Sequence, residues 1–117
     1  MPSTETKNKK WFKLQEWVAG KLNCIDPYCR SSKASGGSTE AGDLKNNVKL
    51  NVECKCYNKK NVWEIDWLKK CEEEIPLHSD KTAIVVTENK DGKKVVSLDA
   101  DDFFDIYVKL YKMENGE

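Results

Sequence analysis

The chain has no apolar run near the roughly 18 residues a membrane-spanning helix needs, and its opening MPSTETKNKK has no apolar signal-peptide core. An intracellular protein is expected. There is no C-x-x-C pair either. The five cysteines, Cys24, Cys29, Cys54, Cys56 and Cys71, are odd in number and have only His78 as an imidazole partner. That argues against a zinc module or a disulfide framework, and leaves Cys54 and Cys56 as small core residues reduced in a cytoplasm. Residues 33–42, KASGGSTEAG, are rich in glycine and serine but lack the G-x-x-x-x-G-K-[ST] spacing that cradles nucleotide phosphates. They are expected to form a flexible surface loop.

Net charge is also missing, since 20 Lys and Arg meet 20 Asp and Glu. Neutrality alone argues against a polyanion partner, but the charges are segregated. Residues 1–60 hold 12 Lys and Arg against 6 Asp and Glu, and residues 61–117 hold 8 against 14. A basic surface in the first half and an acidic one elsewhere is the expected result.

What is present is enough for one domain, residues 1–117, with residues 1–6 a disordered end. A composition of 38% hydrophobic and 34% charged residues is that of a soluble globular chain. From about Lys7 to Leu22 the spacing predicts a helix with Trp11, Leu14, Trp17 and Val18 on its apolar stripe and Glu16 at the border. Residues 23–32, split by Pro27, read as a short first strand closed by Arg30, Ser31 and Ser32. After Lys59 and Lys60, Asn61 opens a second helix with a capping-box-like Glu64. Val62, Trp63, Ile65, Trp67, Leu68, Cys71 and Ile75 form its apolar face, and Pro76 ends it. Residues 82–87, TAIVVT, suit a central buried strand, and Lys90-Asp91-Gly92 turns it into a hairpin with Val95 to Leu98. Asp99 or Asp101 caps a third helix in which Phe103, Phe104, Ile106, Tyr107, Leu110 and Tyr111 recur at helical spacing. The predicted order is αβββαββα, an α/β fold with a mixed central sheet flanked by helices.

The residues with the clearest chemistry run from Gly42 to Tyr57, GDLKNNVKLNVECKCY. In a strand over residues 50–57, Leu50, Val52, Cys54 and Cys56 face one way while Asn51, Glu53, Lys55 and Tyr57 face the other. Asp43 lies ten residues before Glu53, and Asn46-Asn47 suits a turn that would fold it back beside Glu53 and Lys55. Two carboxylates and a lysine in one place suit phosphodiester hydrolysis assisted by Mg2+, a cation held by one or two carboxylates plus waters and substrate oxygens. Asp43 and Glu53 would be metal ligands. Lys55 would orient the attacking water or stabilise charge at phosphorus.

The pattern G-D-x(9)-E-C-K resembles the D-x(n)-E-x-K signature of the PD-(D/E)XK nuclease superfamily, most closely the small phage and archaeal Holliday-junction resolvases. It departs at Gly42, where the signature often has proline. The resemblance covers about Lys10 to Leu98 and implies a restriction-endonuclease-like core and a virus or mobile element as source. It implies Mg2+, with Mn2+ as a substitute, and DNA, branched in particular, as the partner. It places Glu16 of the first helix at the metal centre, with Gln15 as the alternative in a shifted register. The Cys54 backbone carbonyl would be a further ligand. It also makes Arg30, Ser31, Ser32 and Lys33 phosphate contacts, with Lys59 and Lys60 adding charge. A homodimer is expected, because resolvases cut two opposed strands. Four tryptophans also exceed what one small core buries. Other readings are a phage-type nickase or repair nuclease on single-stranded, flap or mismatched DNA, a catalytically inactive DNA-binding protein, and a cysteine-based metal or redox module.

Overall fold

The computed structural model describes residues 9–32, 42–56 and 64–116. Lys33, Lys59, Lys60, Asn61 and Trp63, together with residues 1–6 and most of the glycine-serine run, lie outside the described residues. Helix α1 spans Lys10–Leu22, followed by strands β1 (Arg30–Ser31), β2 (Leu44–Lys45) and β3 (Leu50–Cys56). Then come helix α2 (Glu64–Glu73), strands β4 (Thr82–Glu88) and β5 (Lys94–Ser97), and helix α3 (Ala100–Glu114). This is the predicted order, in a mixed α/β fold.

The sheet β3-β4-β5 is mixed, with β3 parallel to β4 and β4 antiparallel to β5. The β-branched run on β4 takes the central place, and Ala83, Val85, Val86 and Thr87 are buried there. A short antiparallel pair, β1 with β2, aligns Ser31 with Leu44. Asp43 N–H donates to the Val52 carbonyl at 2.7 Å, which brings the start of β2 alongside β3.

The period-2 pattern of β3 and β4 sends alternate side chains to two helices. Val52, Cys54 and Val86 pack with Leu14, Val18 and Ala19 of α1, while Ala83 and Val85 pack with Cys71 of α2. The second face of β3 is therefore not all open. Asn51 is buried, and its amide donates to the Cys71 carbonyl at 2.8 Å.

Three expectations shift. The first strand shrinks to Arg30–Ser31, because residues 23–29 form a turn in which the Asn23 amide donates to the carbonyls of Asp26 and Cys29, both at 3.1 Å. On α2, Ile65 is exposed instead of packed. On α1 the buried residues are Phe12, Leu14, Gln15, Val18 and Ala19, so the inward arc is rotated away from Trp11 and Trp17. The second hairpin forms as read: Asn89 Oδ1 accepts the Asp91 and Lys93 N–H groups at 2.9 Å, and Gly92 supplies the left-handed φ of 83°. Asp99 caps α3 by accepting from Asp101 N at 3.0 Å and Asp102 N at 3.3 Å.

Candidate active site

A tight turn brings the two carboxylates together. Asn46 Oδ1 accepts the N–H groups of Val48 and Leu50, each at 3.2 Å, and its amide donates to the Leu50 carbonyl at 2.9 Å. Lys49 takes the left-handed region at φ 66° to complete the reversal. Asp43 then lies against β3, nearly buried, and its Oδ2 accepts the Cys54 N–H at 2.9 Å.

Asp43, Glu53, Cys54 and Lys55 line one cleft of about 450 Å³ with Lys10, Trp11, Gln15 and Cys56. The convergence read from the sequence is therefore present. Burial raises the Glu53 carboxyl above its ordinary value and the Asp43 charge adds to the rise, while Lys55 opposes it. Lys55 Nζ lies 3.5 Å from Glu53 Oε1 and 5.7 Å from the centre of the Trp67 ring. Because the N–H and C=O of a strand residue point the same way across the ladder, the Cys54 carbonyl leaves β3 on the Asp43 side.

These groups fit a hard divalent cation. Asp43 keeps one oxygen beyond the one bonded to Cys54, Glu53 adds a second carboxylate, and the Cys54 carbonyl adds a third oxygen on the same side. No group of three or more His, Cys, Asp and Glu side chains with metal-binding placement occurs among the described residues. Two carboxylates with waters are a usual Mg2+ set, whereas a thiolate-rich site is not in view. The cysteines fit the latter poorly, since burial pushes the Cys71 thiol up to about 12 and the Cys54 thiol higher still.

The first helix contributes Gln15 to the cleft, not Glu16. Gln15 is 2% exposed and its Oε1 accepts a short hydrogen bond from Ser31 Oγ, whereas Glu16 is exposed and its charge acts on Cys29. One residue is about 100° of helix rotation, enough to turn Glu16 out of the cleft. Ser31 and Ser32 also differ from the phosphate-contact reading. Both are buried, Ser32 N–H donates to the Asp43 carbonyl at 2.9 Å, and Ser32 Oγ donates to the Gly42 carbonyl at 3.0 Å. They position Gln15 and the Asp43 backbone. Arg30 remains exposed.

A second cavity of about 370 Å³ shares Lys10 and Cys56 with this cleft and adds Lys13, Trp17, Lys90 and Lys94. Lys94 Nζ lies 5.1 Å and Lys21 Nζ 5.3 Å from the Trp17 ring, and Lys94 pairs with Glu88 at 3.1 Å. Sequence reasoning passed over this basic and aromatic row. Its signal was Lys10, Lys13 and Trp17 at i, i+3 and i+7, one side of α1. Comparison with protein-family models, curated proteins and solved structures gives no significant match.

Proposed function

We propose that this protein is a Mg2+-dependent DNA endonuclease of the PD-(D/E)XK type that hydrolyses phosphodiester bonds in branched DNA, in the manner of a Holliday-junction resolvase. The observation that carries this reading is the seating of Asp43 against β3, beside Glu53 and Lys55, at the mouth of a lysine-bordered cleft. The arrangement of β1 and β2 beside a mixed sheet, with α1 and α2 on its opposite faces, is compatible with a restriction-endonuclease-like core.

Asp43, Glu53 and the Cys54 carbonyl would hold the cation. When bound, Mg2+ or Mn2+ acidifies a water and offsets charge on the phosphate oxygens. Lys55 would orient an attacking water and stabilise the charge gathering at phosphorus, and the water oxygen would form the new P–O bond as the ester oxygen opposite it leaves and takes up a proton from solvent. Gln15, fixed by Ser31, offers its amide to the water or to a phosphate oxygen. Lys10 and Lys13 hold the flanking backbone.

One observation favours a related reading, a nickase or repair nuclease acting on flaps or single strands. Trp17 stands among lysines next to the cleft, 42% exposed, which suits stacking of an unpaired base. The test is incubation with four-way junction, flap, nicked, linear duplex and single-stranded DNA, with Mg2+, Mn2+ or a chelator. Metal-dependent cutting that ranks the junction first supports the resolvase reading, and a flap or single strand ranked first supports the nickase. Metal-independent binding without cutting by the wild type means a catalytically inactive DNA-binding protein and overturns both.

A further inference from the structure

The cavity beside the cleft has the parts of a nucleotide pocket. Lys10, Lys13 and Trp17 enter it from one side of α1, and Glu88, Lys90 and Lys94 from the hairpin end of β4 and β5. Glu88 and Lys94 stand opposite each other across the two strands and pair at 3.1 Å. Burial raises the Cys56 thiol in the cavity wall, the Glu88 charge adds to the rise, and Lys10 and Lys94 oppose it, so charges from three elements converge on that wall. Four lysines there meet one carboxylate, a balance that attracts an anion. The Trp17 ring has the Lys94 and Lys21 ammonium groups within 5.1 and 5.3 Å of its centre and is still 42% exposed, which leaves room for a second ring. A volume of about 370 Å³ is near the lower end of the roughly 300–1,000 Å³ of small-molecule sites, enough for one nucleotide and too little for a base pair.

We propose that this cavity is a subsite for one unpaired nucleotide of the bound strand, its base against Trp17 and its phosphate on Lys10, Lys13 and Lys90. Stacking and charge are the two means by which single strands are held, and here both converge on one small volume. Glu88 sets the orientation. Its carboxylate repels the phosphate and accepts N–H groups from a base edge, and Lys94 occupies one of its oxygens while leaving the other. Adenine, cytosine and guanine bring an amino donor to that oxygen, whereas thymine sets a carbonyl on each side of its one N–H and fits less well. The cavity and the cleft share Lys10 and Cys56. Cys56 is two residues along β3 from Cys54, roughly 7 Å and about the reach of one nucleotide, so the base held by Trp17 belongs next to the phosphate that is cut. That placement rests on the nuclease reading, and the chemistry of the pocket does not. Flaps, single strands and opened branch points supply an unpaired nucleotide there, and a continuous duplex does not.

Titration of the full chain with deoxynucleoside monophosphates in the absence of metal tests it, followed by calorimetry and by the tryptophan indole N–H signals in NMR. Binding of dAMP and dCMP that moves the Trp17 indole is expected, with deoxyadenosine alone and inorganic phosphate alone each at least tenfold weaker and dTMP several-fold weaker. Trp17→Ala and Lys13→Ala should each weaken dAMP about tenfold. Trp17→Phe, a milder change, should lose less and guards against a misfolded alanine variant. Glu88→Gln should narrow the gap between dCMP and dTMP. In a single-stranded oligonucleotide with one 2-aminopurine walked along it, the fluorescence should be quenched at one position beside the cut, and not with Trp17→Ala. Inorganic phosphate bound as tightly as dAMP, or dAMP affinity unchanged in both alanine variants, overturns the proposal. Free dAMP bound while 2-aminopurine stays unquenched at every position overturns the placement within a strand. Nucleotide binding by a chain that cuts no DNA strikes the nuclease reading alone, and cutting by a chain that binds no nucleotide strikes the subsite alone.

Discussion

Asp43 reaches across to β3 and accepts the Cys54 N–H with one carboxylate oxygen, at 2.9 Å. One side chain thereby does two jobs, closing the edge of a strand and presenting its other oxygen to the cleft. The two roles separate by mutation. Asp43→Asn keeps an oxygen for the Cys54 N–H but loses the charge a cation needs, so cleavage should fall at least 100-fold while the melting temperature holds. Asp43→Ala leaves a buried N–H without a partner and should also cost about 1–3 kcal/mol of stability. Denaturant titration alongside a cleavage assay checks both. Equal cutting by Asp43→Asn would move the active site elsewhere.

Glu53 gives a pH prediction. Its folded-state pKa is raised, by burial first and the Asp43 charge second. The folded protein therefore binds the proton more tightly than the unfolded chain, and stability falls as pH rises from the unfolded to the folded pKa. Glu53→Gln should be more stable than wild type at neutral pH and inactive, since burial and the Asp43 charge together outweigh the long, half-exposed pairing with Lys55 that it loses. Cation binding by the wild type should weaken as pH falls through the raised pKa, because the carboxylate must be charged to coordinate. Asp43→Asn should lower that pKa. Carbon-detected titration of Glu53 reads the shift directly, and a pKa unchanged by Asp43→Asn would separate the two carboxylates.

The lysine cavity should set affinity. Lys10→Ala and Lys13→Ala should each flatten the slope of log affinity against log salt by about one unit, as one phosphate contact is lost. Lys94→Ala should do less, because Glu88 already holds its ammonium group at 3.1 Å. Trp17→Ala should weaken single-stranded binding by about 1–3 kcal/mol, and Trp17→Phe by less. Fluorescence anisotropy with a labelled oligonucleotide at several salt concentrations measures all five variants, and unchanged slopes would put the DNA on another face.

The turn that aligns the carboxylates depends on one amide. Asn46→Ala removes the acceptor for Val48 and Leu50 N–H and the donor to the Leu50 carbonyl, and should cost roughly 1–3 kcal/mol. Activity should fall more steeply than stability, since Asp43 loses its register on β3. A variant that melts early but cuts normally would show that the turn does not align the site.

The sequence made Asp43, Glu53 and Lys55 legible because a strand has only two faces and a polar triplet within a period-2 row has one arrangement. α1 was harder to phase, because an apolar stripe through Trp11, Leu14, Trp17 and Val18 looks as good as the one the fold uses. The rows that go inward are Phe12-Gln15-Ala19 and Leu14-Val18, and the first of them hides a buried glutamine. A polar residue there finds its partner in Ser31, sixteen positions away, which no local pattern encodes. Residues 23–29 failed for a similar reason. The buried Asp26 carboxylate accepts from Tyr28 N at 3.2 Å and from Asn47 N at 2.7 Å, so a distant turn overrides the strand-like pattern. α3 was legible as a helix, because its aromatic and aliphatic residues recur at helical spacing and Asp99 caps its first turn.

Gly42, next to the aspartate, has φ +88°, and a Cβ there would run into Asn51 Oδ1 and come within 3.1 Å of the Val52 carbonyl. Proline, held near φ −65°, cannot take that shape. Asn51 cannot easily step aside, because its amide is bonded to the Cys71 carbonyl on α2. The spacing of Asp43 from Glu53 is thus a tolerance set by one absent methyl group and gauged against a helix on the far side of the sheet. Gly42, Asn51 and the Cys71 carbonyl thus form one line of contacts from the residue before Asp43 to α2, so a larger residue at position 42 would have to displace a side chain tied to that helix.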